Sequence, residues 1–395
     1  MRLAYIGACV AALLSLSACS TASAWWDSDQ GVSGDAGQPA GKSSPARELT
    51  QLWRANLDQR RPASPAGGST PFIIQVGGVN RVAAGAQDRR LRIYDMEGSE
   101  LSRTALGASC NSGGVQLQNG LIVVGDAEGV LYAINPATGQ IAWRRSLSSS
   151  IMSAPIKDGD DVIVQTADNR IYKLTQQGEK LWSYIGSSGG LSMQLSPSPV
   201  VWGGHVYAVF SNGDVVSVKS DSGSLLWKRQ LLFNTEAVVL SELKVPVATP
   251  TIIPAAQSGR DEDTLAVAVF QGEVVFLSMK DGTDFLRRSL SLKSSPLMVG
   301  KRLFVADASG AVSALDAASG DTWWRSEISA GALVGPVVWQ DALWVADTHG
   351  EVFRLNFEGE LIGSLDLPGR IDHSPVVAPA GIVVRNNLGD LFMLR

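Results

Sequence analysis

Cysteine and histidine are scarce, three of each in 395 residues. There is no CxxC, no HExxH and no pair of neighbouring histidines, so the spacings that zinc sites need are missing. His205, His349 and His373 each stand alone and read as structural or surface residues. Cys110 has no histidine near it in sequence to make it a nucleophile, and it reads as buried and inert. Charge is also sparse: 18% of residues are Asp, Glu, Lys or Arg, the formal net charge is −5, and no Lys/Arg run occurs. That excludes an electrostatic footprint for nucleic acid and a basic patch for anionic lipid.

The apolar run within residues 1–18 follows a single basic residue, Arg2, and is too short for a dependable membrane span; it reads as a secretory signal. Its loss with Arg2 takes the charge from −5 to −6. It ends Leu16-Ser17-Ala18-Cys19, which resembles the lipoprotein box, implying that Cys19 is lipidated and becomes the first residue. With Cys9 removed and Cys19 acylated, Cys110 has no disulfide partner. Ser20, where an aspartate would imply inner-membrane retention, points to the periplasmic face of the outer membrane. Residues 19–47 are rich in Ser, Ala, Gly, Asp and Pro and cannot bury a core. They read as a tether reaching roughly 30 Å root-mean-square. Trp25 and Trp26 interrupt its polar character, either as lipid-interface residues or without a special role.

Residues 48–395 form the folded body. The stretch Gly125 to Arg144, GDAEGVLYAINPATGQIAWR, alternates turn, apolar strand, turn and strand. Its second-turn glycine recurs at Gly98, Gly139, Gly178, Gly223, Gly282, Gly320 and Gly359, in steps of 41, 39, 45, 59, 38 and 39 residues. Four residues on stands Trp143, Trp182, Trp227 or Trp324, with Ser102, Leu286 and Gly363 in the degenerate copies. A period of about 40 with hairpin content predicts propeller blades of four antiparallel strands. Blades often open on a polar-proline phrase such as Ser198-Pro199, Thr249-Pro250 or Ser295-Pro296, since proline is tolerated where a strand begins. The C-terminal unit supplies three strands, and Leu49 to Arg54, with Trp53 in the docking position, supplies the fourth. The prediction is an all-β, eight-bladed propeller closed by its two termini.

The phrases Ala133-x-Asn135-x-x-Thr138-Gly139-x-x-x-Trp143 and Ala314-x-Asp316-x-x-Ser319-Gly320-x-x-x-Trp324 resemble the docking repeat of quinoprotein dehydrogenases. That resemblance implies a quinone and calcium on the axis, a catalytic aspartate and usually vicinal cysteines. The chain has no Cys-Cys pair and is much shorter than those enzymes. The repeat is therefore expected to be structural, with no cofactor, no metal and no catalytic residue.

Two segments break the period: Ser187 to Leu195, and Asn234 to Val247. A third, Pro254 to Asp263, reads as a solvated hairpin tip. A lipoprotein box, a short tether and an eight-bladed propeller together resemble the BamB family of lipoproteins from the machine that assembles outer-membrane β-barrels. The resemblance covers essentially the whole chain. It implies a non-enzymatic scaffold that binds the POTRA region of BamA, and it allows contact with unfolded outer-membrane proteins. It places Leu191 and Met193 on the apolar contact positions, Gln194 where the family has an arginine, and Glu242 as the acid of Leu240-Ser241-Glu242. Lys244 stands where a second acid would be. The other function classes compatible with the sequence are a periplasmic quinoprotein-like enzyme, a ligand-binding propeller and a scaffold of another envelope complex.

Overall fold

A computed structural model describes residues 49–58, 69–187, 197–231 and 245–395. The predicted signal, Cys19 and nearly all of the tether and loop residues named above lie outside them. The described strands form eight antiparallel sheets, seven of them four-stranded, and in six of those the strands follow sequence order from the innermost to the outermost. Blade 1 spans Phe72–Ala105, blade 2 Gly114–Ser146, blade 3 Ile156–Ile185 and blade 4 Val200–Gln230. Blades 5, 6 and 7 span Val245–Arg288, Leu297–Glu327 and Leu333–Asp366. Blade 8 takes Val376–Leu394 from the C-terminus and its outermost strand, Gln51–Asn56, from the N-terminus. That strand pairs antiparallel with Asp390–Leu394, and Thr50 and Arg395 exchange both backbone hydrogen bonds at 2.9 Å. The eight-bladed architecture and its closure are as the repeats predicted.

The second and third strands are apolar on both faces because each blade packs between two others. Between blades 2 and 3, Val123, Leu131 and Ala133 meet Val162, Val164 and Tyr172, all buried. Seven such interfaces besides this one make up the core.

The recurring glycine and tryptophan are the two halves of one contact between neighbours. Trp53, Trp143, Trp182, Trp227 and Trp324 donate from Nε1 to Met96, Gln176, Ser220, Met279 and Phe357 of the following blade, at 2.8 to 3.1 Å. Each indole lies on a glycine of that blade, and a Cβ there would approach it to 2.6–2.8 Å. The glycines also hold φ between +69° and +90°, a region in which a side chain is strained. A β-bulge in every outermost strand's pairing falls beside this position. Bulges twist an edge away from flat pairing, which is one way sheet edges are kept from joining other chains.

Two details depart from the expectation. Blade 5 is five-stranded, because its innermost strand is split into Val245–Pro246 and Thr251–Ile253, both paired with Thr264–Phe270. Pro250 lacks the N–H that would carry the ladder through the gap. The segment Pro254 to Asp263 is not a solvated tip. It holds a single helical turn, α1 (Ala255–Ser258), and clasps three blades. Arg260 stacks on Phe285, 3.6 Å from the ring centroid, and donates to Ala318 O at 2.5 Å. Asp263 accepts from Ala255 N at 2.8 Å and from Trp202 Nε1 at 2.6 Å. Arg260 and Asp263 are polar because they bond across the blades, while Gln257 and Asp261 stay exposed.

Candidate docking face and axial well

Every connection from an outermost strand to the next innermost strand lies on one face of a sequentially wound propeller. The predicted partner-binding residues Leu191, Met193, Gln194 and Glu242 fall at 188–196 and 232–244, outside the described residues. Their flanks are described, and they place both segments on consecutive connections, blade 3 to 4 and blade 4 to 5.

These flanks are braced against each other. Asn169, buried with φ +60°, donates from Nδ2 to Ser187 O at 3.0 Å and accepts Gly186 N on its own carbonyl at 2.9 Å. Its Oδ1 accepts from Ser211 N and Oγ, in blade 4. Lys228, on the strand that leads into the second segment, donates to Ser187 Oγ at 2.7 Å and pairs with buried Asp214 at 2.7 Å. Leu231 is anchored by Leu231 N donating to Gly213 O at 2.9 Å. The second segment re-enters the body directly through the short strand Val245–Pro246. Two connections joined at their roots can present one continuous surface to a partner.

The same face opens on the ring axis as a well of about 280 Å³. An extended chain turns alternate residues to one side. In each polar-proline phrase the residue before proline and the one two places earlier therefore face the axis. The deeper tier is Thr70, Ser198, Thr249, Ser295 and Ser374, with Gly113 and Ala154 completing it on blades 2 and 3. The other tier is Asn111, Met152, Val247, Lys293 and Asp372. At the position between the tiers, Ser153, Ala248, Ser294 and His373 also border the well, while three serine hydroxyls turn into the blades. There Ser69, Ser153 and Ser294 donate to Gly85 O, Gln165 O and Gly335 O. Asp372 is held by Arg370 at 2.9–3.0 Å, and His373 lies 3.5 Å from Thr70 Oγ1. Asn111, Lys293 and Asp372 thus line one well, a grouping that sequence reading did not foresee. The available signal was the residue two places before each pre-proline position.

Among the described residues no three His, Cys, Asp or Glu side chains come together as a metal site. Cys110 is fully buried beside Gly85, and burial pushes its thiol up to about 12. It should resist iodoacetamide in the folded protein at pH 8 and alkylate only in denaturant; mass spectrometry after a short pulse decides this.

A family model described as outer membrane protein assembly factor BamB matches residues 48–312, 252–370 and 308–392. The chain belongs to the BamB family. A BamB of Burkholderia pseudomallei is 25% identical over 396 residues, covering 98% of this chain and 97% of its own. One of Yersinia pestis is 23% identical over 286 residues, 71% and 70% of the two chains. The crystal structure of BamB from Moraxella catarrhalis superposes with a TM-score of 0.73 at 20% identity, covering 88% of this chain and 99% of that one. Sqt1 of Saccharomyces cerevisiae gives 0.70 at 12% identity over 88% of this chain and 98% of its own. At such identities the two structures speak for the fold, while the BamB family model spans nearly the whole propeller.

Proposed function

We propose that this chain is a non-enzymatic scaffold subunit of the outer-membrane β-barrel assembly machine, anchored at the periplasmic face of the outer membrane by acylated Cys19. It docks on the POTRA region of BamA and helps present unfolded outer-membrane chains for insertion. Residues 1–18 are the signal, 19–47 the tether and 48–395 the propeller. Membership of the BamB family along the propeller carries this reading. The braced roots on the face of blades 3 to 5 support Leu191, Met193, Gln194 and Glu242 as the contact. No helix among the described residues is long and apolar enough to cross a membrane. Attachment is assigned to the lipid on the Leu16-Ser17-Ala18-Cys19 box.

Calorimetry of residues 20–395 against the BamA POTRA region of the same organism tests the docking. Leu191→Ala/Met193→Ala should weaken binding about tenfold or more, as for apolar anchors at an interface centre. Glu242→Ala should act mainly on the salt dependence. Undiminished binding by the double variant would reject the site, and no binding by the unaltered protein would reject the partner. In cells, Cys19→Ser should move the protein from the membrane to the soluble periplasmic fraction.

A further inference from the structure

The axial well has a chemistry of its own, independent of docking on the outer segments. Its two walls differ. On blades 2 and 3 the deeper tier is Gly113 and Ala154; a Cβ on Gly113 would lie 3.0 Å from that of Ala154, so these small residues hold the well open. Phe72 and Met152 border this side, which offers apolar surface and no side-chain hydroxyl at the deeper tier. On blades 5, 6 and 8 the wall carries the hydroxyls of Thr249, Ser295 and Ser374. Thr249 Oγ1 already accepts from Ser198 N at 3.1 Å, which leaves its proton to donate.

Charge on the hydroxyl wall is unbalanced. Asp372 is neutralised by Arg370. Lys293, two residues before Ser295, lies with its ammonium 5.5 Å from the centroid of the Phe270 ring. No described carboxylate lies within ion-pair distance of it, while buried Lys173 holds two, Asp158 and Asp161. Lys293 and the three hydroxyl residues line one well with Gly113, Ala154 and Met152, a lining that fits a ligand with an oxyanion, several hydroxyls and one apolar face.

We propose that the well binds a small hydroxylated organic anion of the sugar-phosphate class. Lys293 pairs with the oxyanion, Thr249, Ser295 and Ser374 hydrogen-bond the hydroxyls, and the wall of Gly113, Ala154 and Met152 takes the apolar ring face. The volume is near the lower end for ligand pockets and suits a single sugar unit.

The test is calorimetric titration of the intact mature protein with glucose 6-phosphate, glucose and inorganic phosphate. Glucose 6-phosphate should saturate with Kd below about 1 mM, and glucose should bind about tenfold more weakly for want of the charge-assisted bond. Lys293→Met should weaken the sugar phosphate by about tenfold and leave glucose unchanged. Ala154→Leu should abolish both, and Ser295→Ala provides a milder probe if that variant fails to fold. A circular dichroism melt of Lys293→Met should match that of the unaltered protein. Absence of saturable binding, binding undiminished by Lys293→Met, or inorganic phosphate binding as well as the sugar phosphate would overturn the proposal.

Discussion

Arg385→Met should lower the unfolding free energy by about 3–5 kcal/mol, the range for breaking a buried ion pair from one side. The guanidinium is fully buried. From Nη1 it donates to Ser69 O at 2.9 Å and Gly85 O at 2.7 Å, and from Nη2 to Asp58 at 3.2 Å. Burial lowers its pKa, with Asp58 opposing, so the charge is held at a cost. Asp58 also accepts Gln87 N of blade 1 at 2.8 Å. One side chain thus ties the end of the N-terminal strand, blade 8 and blade 1 where the ring closes. Methionine keeps much of the volume but leaves the Asp58 charge without its cation and Ser69 O without the guanidinium donor, while Gly85 O keeps only the Ser69 hydroxyl and Asp58 only Gln87 N. Equilibrium denaturation should show a lower midpoint at unchanged slope, and adding Asp58→Asn should recover part of the loss by removing the orphaned charge. A cost below about 1 kcal/mol, the level of an exposed pair, would show that the cluster does not hold the closure.

Trp227→Ala should cost about 3–5 kcal/mol, the range for emptying a buried aromatic site. Trp227 is 9% exposed, donates to Met279 O at 3.1 Å, and its ring centroid lies 6.0 Å from that of Tyr207. The less buried Trp143 and Trp324 should lose less. Gly282, with φ +76°, underlies the indole, and an alanine Cβ there would come within 2.6 Å of it. Gly282→Ala alone meets both the clash and the backbone strain; beside Trp227→Ala only the strain is left, roughly 1–2 kcal/mol. The double variant should therefore be more stable than the two single costs predict. Simple additivity would mean that the glycine and the indole are not one contact.

This contact also explains why the fold was legible. The indole and the glycine belong to different blades but recur at fixed offsets, so the neighbour contact is written into the repeat itself. Closure was legible for a related reason: one unit lacked a fourth strand and the other end of the chain supplied it. Arg385 and Asp58 were not legible, since they are 327 residues apart and belong to no period. Arg260 and Asp263 looked solvated because polarity in sequence does not distinguish a solvent contact from a bond to the next blade. The axial residues were hidden differently. Lys293, Asp372 and Asn111 sit on three blades, and only the ring brings them together.

The N-terminal strand has one more consequence. Residue 49 enters the propeller beside Arg395, on the face opposite the connections at Ser187 and Leu231. If Cys19 is held in a bilayer, any force between membrane and partner passes through Gln51–Asn56. A pull along the ring axis would load that strand in shear, so its pairs with Asp390–Leu394 resist together and do not peel one after another. Arg54 and Asn56 add cross-links to Asp390 at 2.6 and 2.7 Å. The strand that completes the last blade is also the joint through which the molecule would bear tension.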